Sequence, residues 1–208
     1  SKAPIQWAYH KIKKGKNTIS YSESTITVFV PAKILEKINI ESSDGNLTLK
    51  NISCKNVSCT TQYGDIFIGK TTISQHLYIK TEDGNVALSK SNIPKSPEIS
   101  TLYGDISADS LTILGTAKMN TTDGNVLLSR VTADDSLQIT TRYGDISTDH
   151  TVISGTVRFD TSDGNVSLNS TDISGSLQST TRYGDVNASL LTISGKTKLK
   201  TSGGNISL

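Results

Sequence analysis

At 208 residues the chain is long enough for one elongated domain or two small globular ones. Aromatic residues make up only 5% and Trp7 is the single tryptophan, which argues against an ordinary globular core filled with large side chains. A net charge of +2, no aromatic interleaving of basic residues and no run of about 20 apolar residues leave no signal for a nucleic-acid surface or a membrane-spanning helix.

The first 40 residues differ from the rest. They hold seven lysines against Glu23 and Glu36, so the remainder of the chain is net negative. Lys11, Lys13, Lys14 and Lys16 are candidates for contact with a membrane surface or anionic wall polymer, weighed against a solvated hairpin. Thr25–Val30 alternates as a strand closed by Pro31, and with Trp7 and Tyr9 it is expected to cap a repeat array. The expected division is a basic β cap over 1–40 and one continuous repeat domain over 41–208. Ser1 stands where an initiator methionine would and is read as a boundary or a processed start; no signal-peptide pattern follows it. Cys54 and Cys59 have no His or third Cys beside them, which excludes a zinc framework; two small core-filling thiols are favoured over a disulfide.

From residue 41 onward the chain repeats. Central glycines fall at 45, 64, 84, 104, 124, 144, 164, 184 and 204, first 19 and then always 20 residues apart. Asp-Gly-Asn corners alternate with Tyr-Gly-Asp corners, so the full period is 40. Two residues after each glycine stands an aliphatic (Leu47, Ile66, Val86 and onward), and five and seven residues before it stand mostly apolar residues separated by a polar column. This is the period-2 pattern of strands with one buried face. A further apolar column, Ile73 to Ile193, lies eleven residues before the glycine and is followed by Ser-Gly in three units, which reads as a second corner with a short third strand. Thr81, Thr101, Thr121, Thr141, Thr161 and Thr181 have inward parity, where a hydroxyl satisfies backbone groups at the bend or the hydroxyl of the next turn. An antiparallel meander also satisfies the alternation, but seven identical 20-residue intervals favour a β-helix, in which like residues stack. The expected fold is all-β: a single-stranded parallel β-helix, or β-solenoid, of about nine 20-residue coils with an N-terminal β cap.

Stacking gives the corner residues a reason. After each glycine the order is strictly alternating, as in Asn85, Asp105, Asn125, Asp145, Asn165 and Asp185. Asp on Asp at one rung's separation would repel, whereas Asn beside Asp can hydrogen-bond. The glycine is expected to supply φ > 0 at the bend. After Leu208 no cap sequence follows, so the last coil is expected to present a strand edge open to further chain or to self-association.

The strand Val28-Phe29-Val30-Pro31, then Ile38-x-Ile40-x-Ser42-x-x-Gly45-Asn46-x-x-Leu49 and the serial Thr-x-x-Gly-Asp/Asn-Ile/Val units, resemble the bacterial toast-rack, adhesin-like β-strand-repeat family, a domain of unknown function. The likeness covers roughly 25–208. It implies a right-handed β-helix-like fold and an extracellular or cell-surface setting in the bacterial envelope. Some members are implied to sense envelope stress or antimicrobial peptides in the Lia system. The resemblance implies no catalytic residues and no cofactor.

The residues themselves point away from chemistry. His10, His76 and His150 occupy unrelated repeat positions and no nucleophile elbow is present. A polysaccharide-cleaving β-helix is the enzyme alternative, with Asp65, Asp105, Asp145, Asp185, Arg142 and Arg182 as its only candidate cluster; a column that runs through every repeat is better read as a structural ladder. Weak calcium binding near Asp83 and Asp105 and an ice-binding threonine face are lesser readings, and no metal site is assigned. The best candidate binding surface is Tyr63, Tyr103, Tyr143 and Tyr183 with Arg142 and Arg182, facing a protein, peptide or envelope polymer. The expected function is a non-catalytic envelope-binding, adhesin-like module, the alternative a structural spacer.

Overall fold

The computed structural model describes residues 18–21, 34–93 and 95–208. Trp7, Tyr9, the Lys11–Lys16 run, His10 and the expected strand 25–30 lie outside the described residues.

The described chain is a parallel β-solenoid without helices. One coil shows how the sequence builds it. Val126–Ser129 is a strand, Arg130 turns the chain, Thr132–Ala133 is a two-residue strand, and Leu137–Thr140 is the third. Thr141–Gly144 then closes the coil and feeds Ile146, the start of the next. Each strand pairs in parallel with its counterpart 20 residues on, as in Val126↔Ile146, Thr132↔Val152 and Leu137↔Val157. All strand pairings among the described residues are parallel, which settles the choice between helix and meander.

At the N-terminal end the register carries the irregularity seen in the glycine spacing. Ile38 pairs with Val57, a step of 19, and the shift to 20 is taken up at a bulge between Cys54 and Asn56. Thr18–Tyr21 adds one more parallel strand, pairing with Asn39–Ser42. At the other end Ile206–Ser207 pairs with Val186–Asn187, and its outer side has no strand partner among the described residues.

Alternation fills the interior. In the same coil Val126, Leu128, Val131, Ala133, Leu137, Ile139 and Thr141 are buried while their neighbours are not. The columns predicted from period 2 are the core, including Ile73, Ile93, Ile113, Ala133, Ile153 and Ile173. Cys54 and Cys59 belong to it as free thiols. Burial pushes the Cys59 thiol up to about 12. It also raises Cys54, against hydrogen bonding by nearby backbone.

Two features differ from expectation. A third corner lies six residues after the central glycines from Gly45 to Gly184: Asn51, Lys70, Lys90, Ser110, Arg130, His150, Ser170 and Leu190 all take φ between 45° and 56°. This left-handed turn falls on Asn, Lys, Ser, Arg, His and Leu and never on glycine, so no single residue type marks it in the sequence. The second concerns the central glycines. Positive φ is confined to Gly45, at +103°. The others are glycine because the coils touch there. A Cβ on Gly144 would lie 1.8 Å from the carbonyl oxygen of Gly124, and on Gly164 the same distance from that of Gly144.

Candidate functional site

The corner centred on these glycines is where backbone, ladder side chains and exposed side chains meet. Its inner wall is the threonine column. Thr141 Oγ1 donates to the Gly124 carbonyl at 2.9 Å and accepts from the Gly144 N–H at 3.2 Å, clamping two successive coils. The same pair of bonds recurs at Thr101, Thr121, Thr161, Thr181 and Thr201. The glycine carbonyl of the preceding coil, rather than a neighbouring hydroxyl, is therefore the partner. Thr61, which faces the distinct Gly45 corner, has a buried hydroxyl with no hydrogen-bond partner. Thr141→Val removes a donor and an acceptor from buried backbone groups and is expected to cost about 2 kcal/mol. Thr61→Val, by the same account, leaves stability unchanged or raises it. Paired urea melts of the two variants check this.

The outer wall is the Asn/Asp ladder. Each side-chain Oδ1 accepts the backbone N–H of the residue one coil on: Asp145 N–H to Asn125 Oδ1 at 2.8 Å, Asn165 N–H to Asp145 Oδ1 at 2.6 Å, Asp185 N–H to Asn165 Oδ1 at 2.8 Å. Asn85, Asp105 and Asn125 continue the series. Asn and Asp are equal in this role, since each offers an Oδ1 acceptor. Alternation adds the second bond. Asn165 Nδ2 also donates to Asp145 Oδ1 at 3.2 Å, as do Asn85 to Asp65 and Asn125 to Asp105. Asn165→Asp would place carboxylates on three successive rungs, 145, 165 and 185. The new carboxylate would repel both neighbours and remove the Nδ2–H donor to Asp145, and salt would screen the repulsion. A deficit of about 1–2 kcal/mol at low salt, smaller at about 1 M salt, is expected from urea melts at the two ionic strengths.

Facing solvent are Tyr63, Tyr103, Tyr143 and Tyr183, each 50–58% exposed. Asp44, Asp83, Asp123 and Asp163 occupy the same corner position in the alternate coils, as the Tyr63↔Asp83 bridge shows. The guanidinium of Arg142 sits 5.0 Å from the centre of the Tyr143 ring, and that of Arg182 sits 4.9 Å from Tyr183. Gln62 donates from Nε2 to the Tyr63 hydroxyl at 3.2 Å, and Leu102, 39% exposed, borders Tyr103. The structure thus gathers the tyrosines and both arginines along one edge. Leu102 and the interleaved Asp83, Asp123 and Asp163 were not singled out from the sequence as part of that surface; their shared corner position was the available signal.

Several polar groups away from this corner form local pairs. Asp149 bonds the His150 imidazole, and chiefly for that reason its carboxyl is held below the usual range. Asp135 is lowered by the Ser136 N–H and the Thr116 hydroxyl. Arg130 pairs with Asp109 and Arg158 with Asp160. No group of three His, Cys, Asp or Glu side chains suited to a metal ion occurs among the described residues.

A family model described as Toastrack DUF4097 matches residues 6–120 and again 93–208. The chain belongs to the toast-rack family. No curated protein and no solved structure matches it. The two overlapping matches agree with the geometry: a toast-rack chain built of near-identical coils offers the same pattern to a family model twice, in its first and second halves. The family is a domain of unknown function, and the toast-rack corner, with its threonines and Asn/Asp ladder engaged in inter-coil bonds, fits a non-catalytic module.

Proposed function

We propose that this toast-rack chain is an adhesin-like binding module of the bacterial cell surface, engaging an envelope partner through its tyrosine edge and sensing envelope stress by that contact. The observation that supports it is a contrast within one corner. The glycines, threonines and the Asn/Asp ladder are used in holding coils together, while the four tyrosines remain about half exposed on a rigid rod. Aromatic side chains displayed in a row on a preorganised scaffold provide contact area at low entropic cost.

Tyr143→Ala combined with Tyr183→Ala is expected to weaken capture of envelope fractions by about tenfold, as loss of two aromatic contacts implies. Circular dichroism and the melting curve should be unchanged, since neither ring is part of the core. Capture undiminished in the double variant would leave the rod as a spacer, whose ladders serve length and stiffness alone.

A further inference from the structure

The tyrosines recur at every second coil, and that period restricts what can lie along them. Tyr63, Tyr103, Tyr143 and Tyr183 are two rungs apart, about 9.6 Å at the usual strand separation. Midway between them stand Asp83, Asp123 and Asp163, exposed carboxylates that accept no hydrogen bond among the described residues. The hydroxyls of Tyr103, Tyr143 and Tyr183 are equally without a protein partner among those residues. The edge therefore alternates aromatic ring and free carboxylate, one rung apart, along the direction in which the coils stack.

Resting on the reading of this edge as the contact surface, we infer that its ligand is an uncharged, extended 1,4-β-linked polysaccharide lying parallel to the axis. In such a chain each sugar is turned about half a revolution relative to the last, so like faces recur at every second sugar. The length of that two-sugar repeat is close to, and slightly longer than, two rungs. Each tyrosine then meets the apolar C–H face of an alternate sugar, and each intervening aspartate accepts hydroxyl hydrogen bonds from the sugar between. That is the mixture of apolar platform and few orienting polar groups expected of a small-molecule site. The Arg142 and Arg182 guanidiniums hold their tyrosine rings and add donors for ring or hydroxyl oxygens.

Charge excludes the other linear polymers. Asp44, Asp65, Asp83, Asp105, Asp123, Asp145, Asp163, Asp185 and Glu82 line this corner against Arg142 and Arg182 alone. An acidic glycan, a teichoic-type phosphate polymer or a nucleic acid would meet a field of its own sign. An extended peptide repeats its side-chain face at about 6.8 Å, out of step with the rings. Affinity should climb from two sugars to about seven, the length spanning four tyrosines, with smaller gains at the far end as the slight excess of the sugar repeat over two rungs accumulates, and then level off.

The test is an NMR titration of the full chain with cello-oligosaccharides and β-1,4-linked N-acetylglucosamine oligomers of two to eight sugars, with maltohexaose as the α-linked control. Expected are upfield shifts of the tyrosine ring protons with the β-linked series and at least about tenfold weaker binding of maltohexaose. Tyr143→Ala with Tyr183→Ala should lower β-linked affinity about tenfold, and Asp123→Asn with Asp163→Asn should lower it less, both with an unchanged melting temperature. Absence of shifts at millimolar oligosaccharide, an equal response to maltohexaose, or undiminished binding by the tyrosine variant overturns the assignment. If oligosaccharides fail but capture of an envelope protein or peptide still depends on the tyrosines, only the glycan assignment falls. If the tyrosine variant captures every envelope fraction as well as the parent, the contact surface itself falls with it.

Discussion

Gly144→Ala is expected to make the protein melt in two separate transitions. A Cβ at this position would stand 1.8 Å from the Gly124 carbonyl oxygen and 2.4 Å from its carbon. Both are backbone atoms locked between rungs, so no rotamer change relieves the overlap. Separating the coils enough to admit a methyl group would stretch the Thr141 clamp and the Asn125–Asp145 rung on the same corner. The cost is expected to be about 3 kcal/mol or more, at the upper end for a single substitution. Because each coil touches only its neighbours, stability propagates through interfaces. A weakened central interface uncouples the coils on its two sides.

Three companion variants separate this cause from backbone strain. Gly204→Ala meets a similar overlap, 2.1 Å from the Gly184 carbonyl oxygen, but in the last coil, so it should fray that coil and leave one main transition. Gly45→Ala has no atom within 4 Å and fails instead through φ of +103°, a loss of about 1–2 kcal/mol. Gly203→Ala, whose nearest neighbour is the Tyr183 side chain at 3.4 Å, should be nearly silent. Calorimetry of the four proteins distinguishes a steric column from a conformational one. A single unshifted transition for Gly144→Ala would contradict the contact between glycines.

Phe159→Ala is the second large effect. Phe159 is among the largest fully buried side chains, in a column otherwise occupied by Ile139 before it and Ser179 after it. The sequence of volumes has a reason: the column's largest member is followed by its smallest, so the coil spacing is kept while the total volume is conserved. Truncating the phenyl group leaves a cavity flanked by a serine that cannot fill it, and a loss of about 3–5 kcal/mol is expected. Ser179 supplies the contrasting case. Its buried hydroxyl has no hydrogen-bond partner, so Ser179→Ala should be neutral or mildly stabilising. Urea denaturation of both variants decides the matter, and a Phe159→Ala midpoint near that of the parent would show that the coil collapses around the gap.

Much of this is legible in the sequence. Alternation about each central glycine marks which side chains face inward, because strand geometry sends successive residues to opposite sides. Invariant 20-residue spacing implies stacking of like upon like, and Asn/Asp alternation then follows from the repulsion of adjacent carboxylates. The tyrosines were visible as one column, Tyr63, Tyr103, Tyr143 and Tyr183, but their exposure comes from the bend: they stand two residues after the buried threonines, where unbroken alternation would turn them inward.

Other properties lie in contacts that no periodicity encodes. The left-handed corner from Asn51 to Leu190 is imposed by the need to turn the chain between two strands at a fixed distance, so it overrides local preference and falls on Lys, Arg, His and Leu alike. The glycine column is glycine through the approach of one coil's carbonyl to the next coil's Cα, a distance set only when coils are stacked. The threonine hydroxyls likewise find their acceptor 17 residues earlier, at the preceding glycine carbonyl, where side-chain parity alone suggested a choice of partners. The sequence by itself determined which residues share a column and face, since that depends on strand period and repeat length. Only the tertiary structure decided which atoms of adjacent coils meet, because those distances are set by the path of the whole coil rather than by any one segment of it.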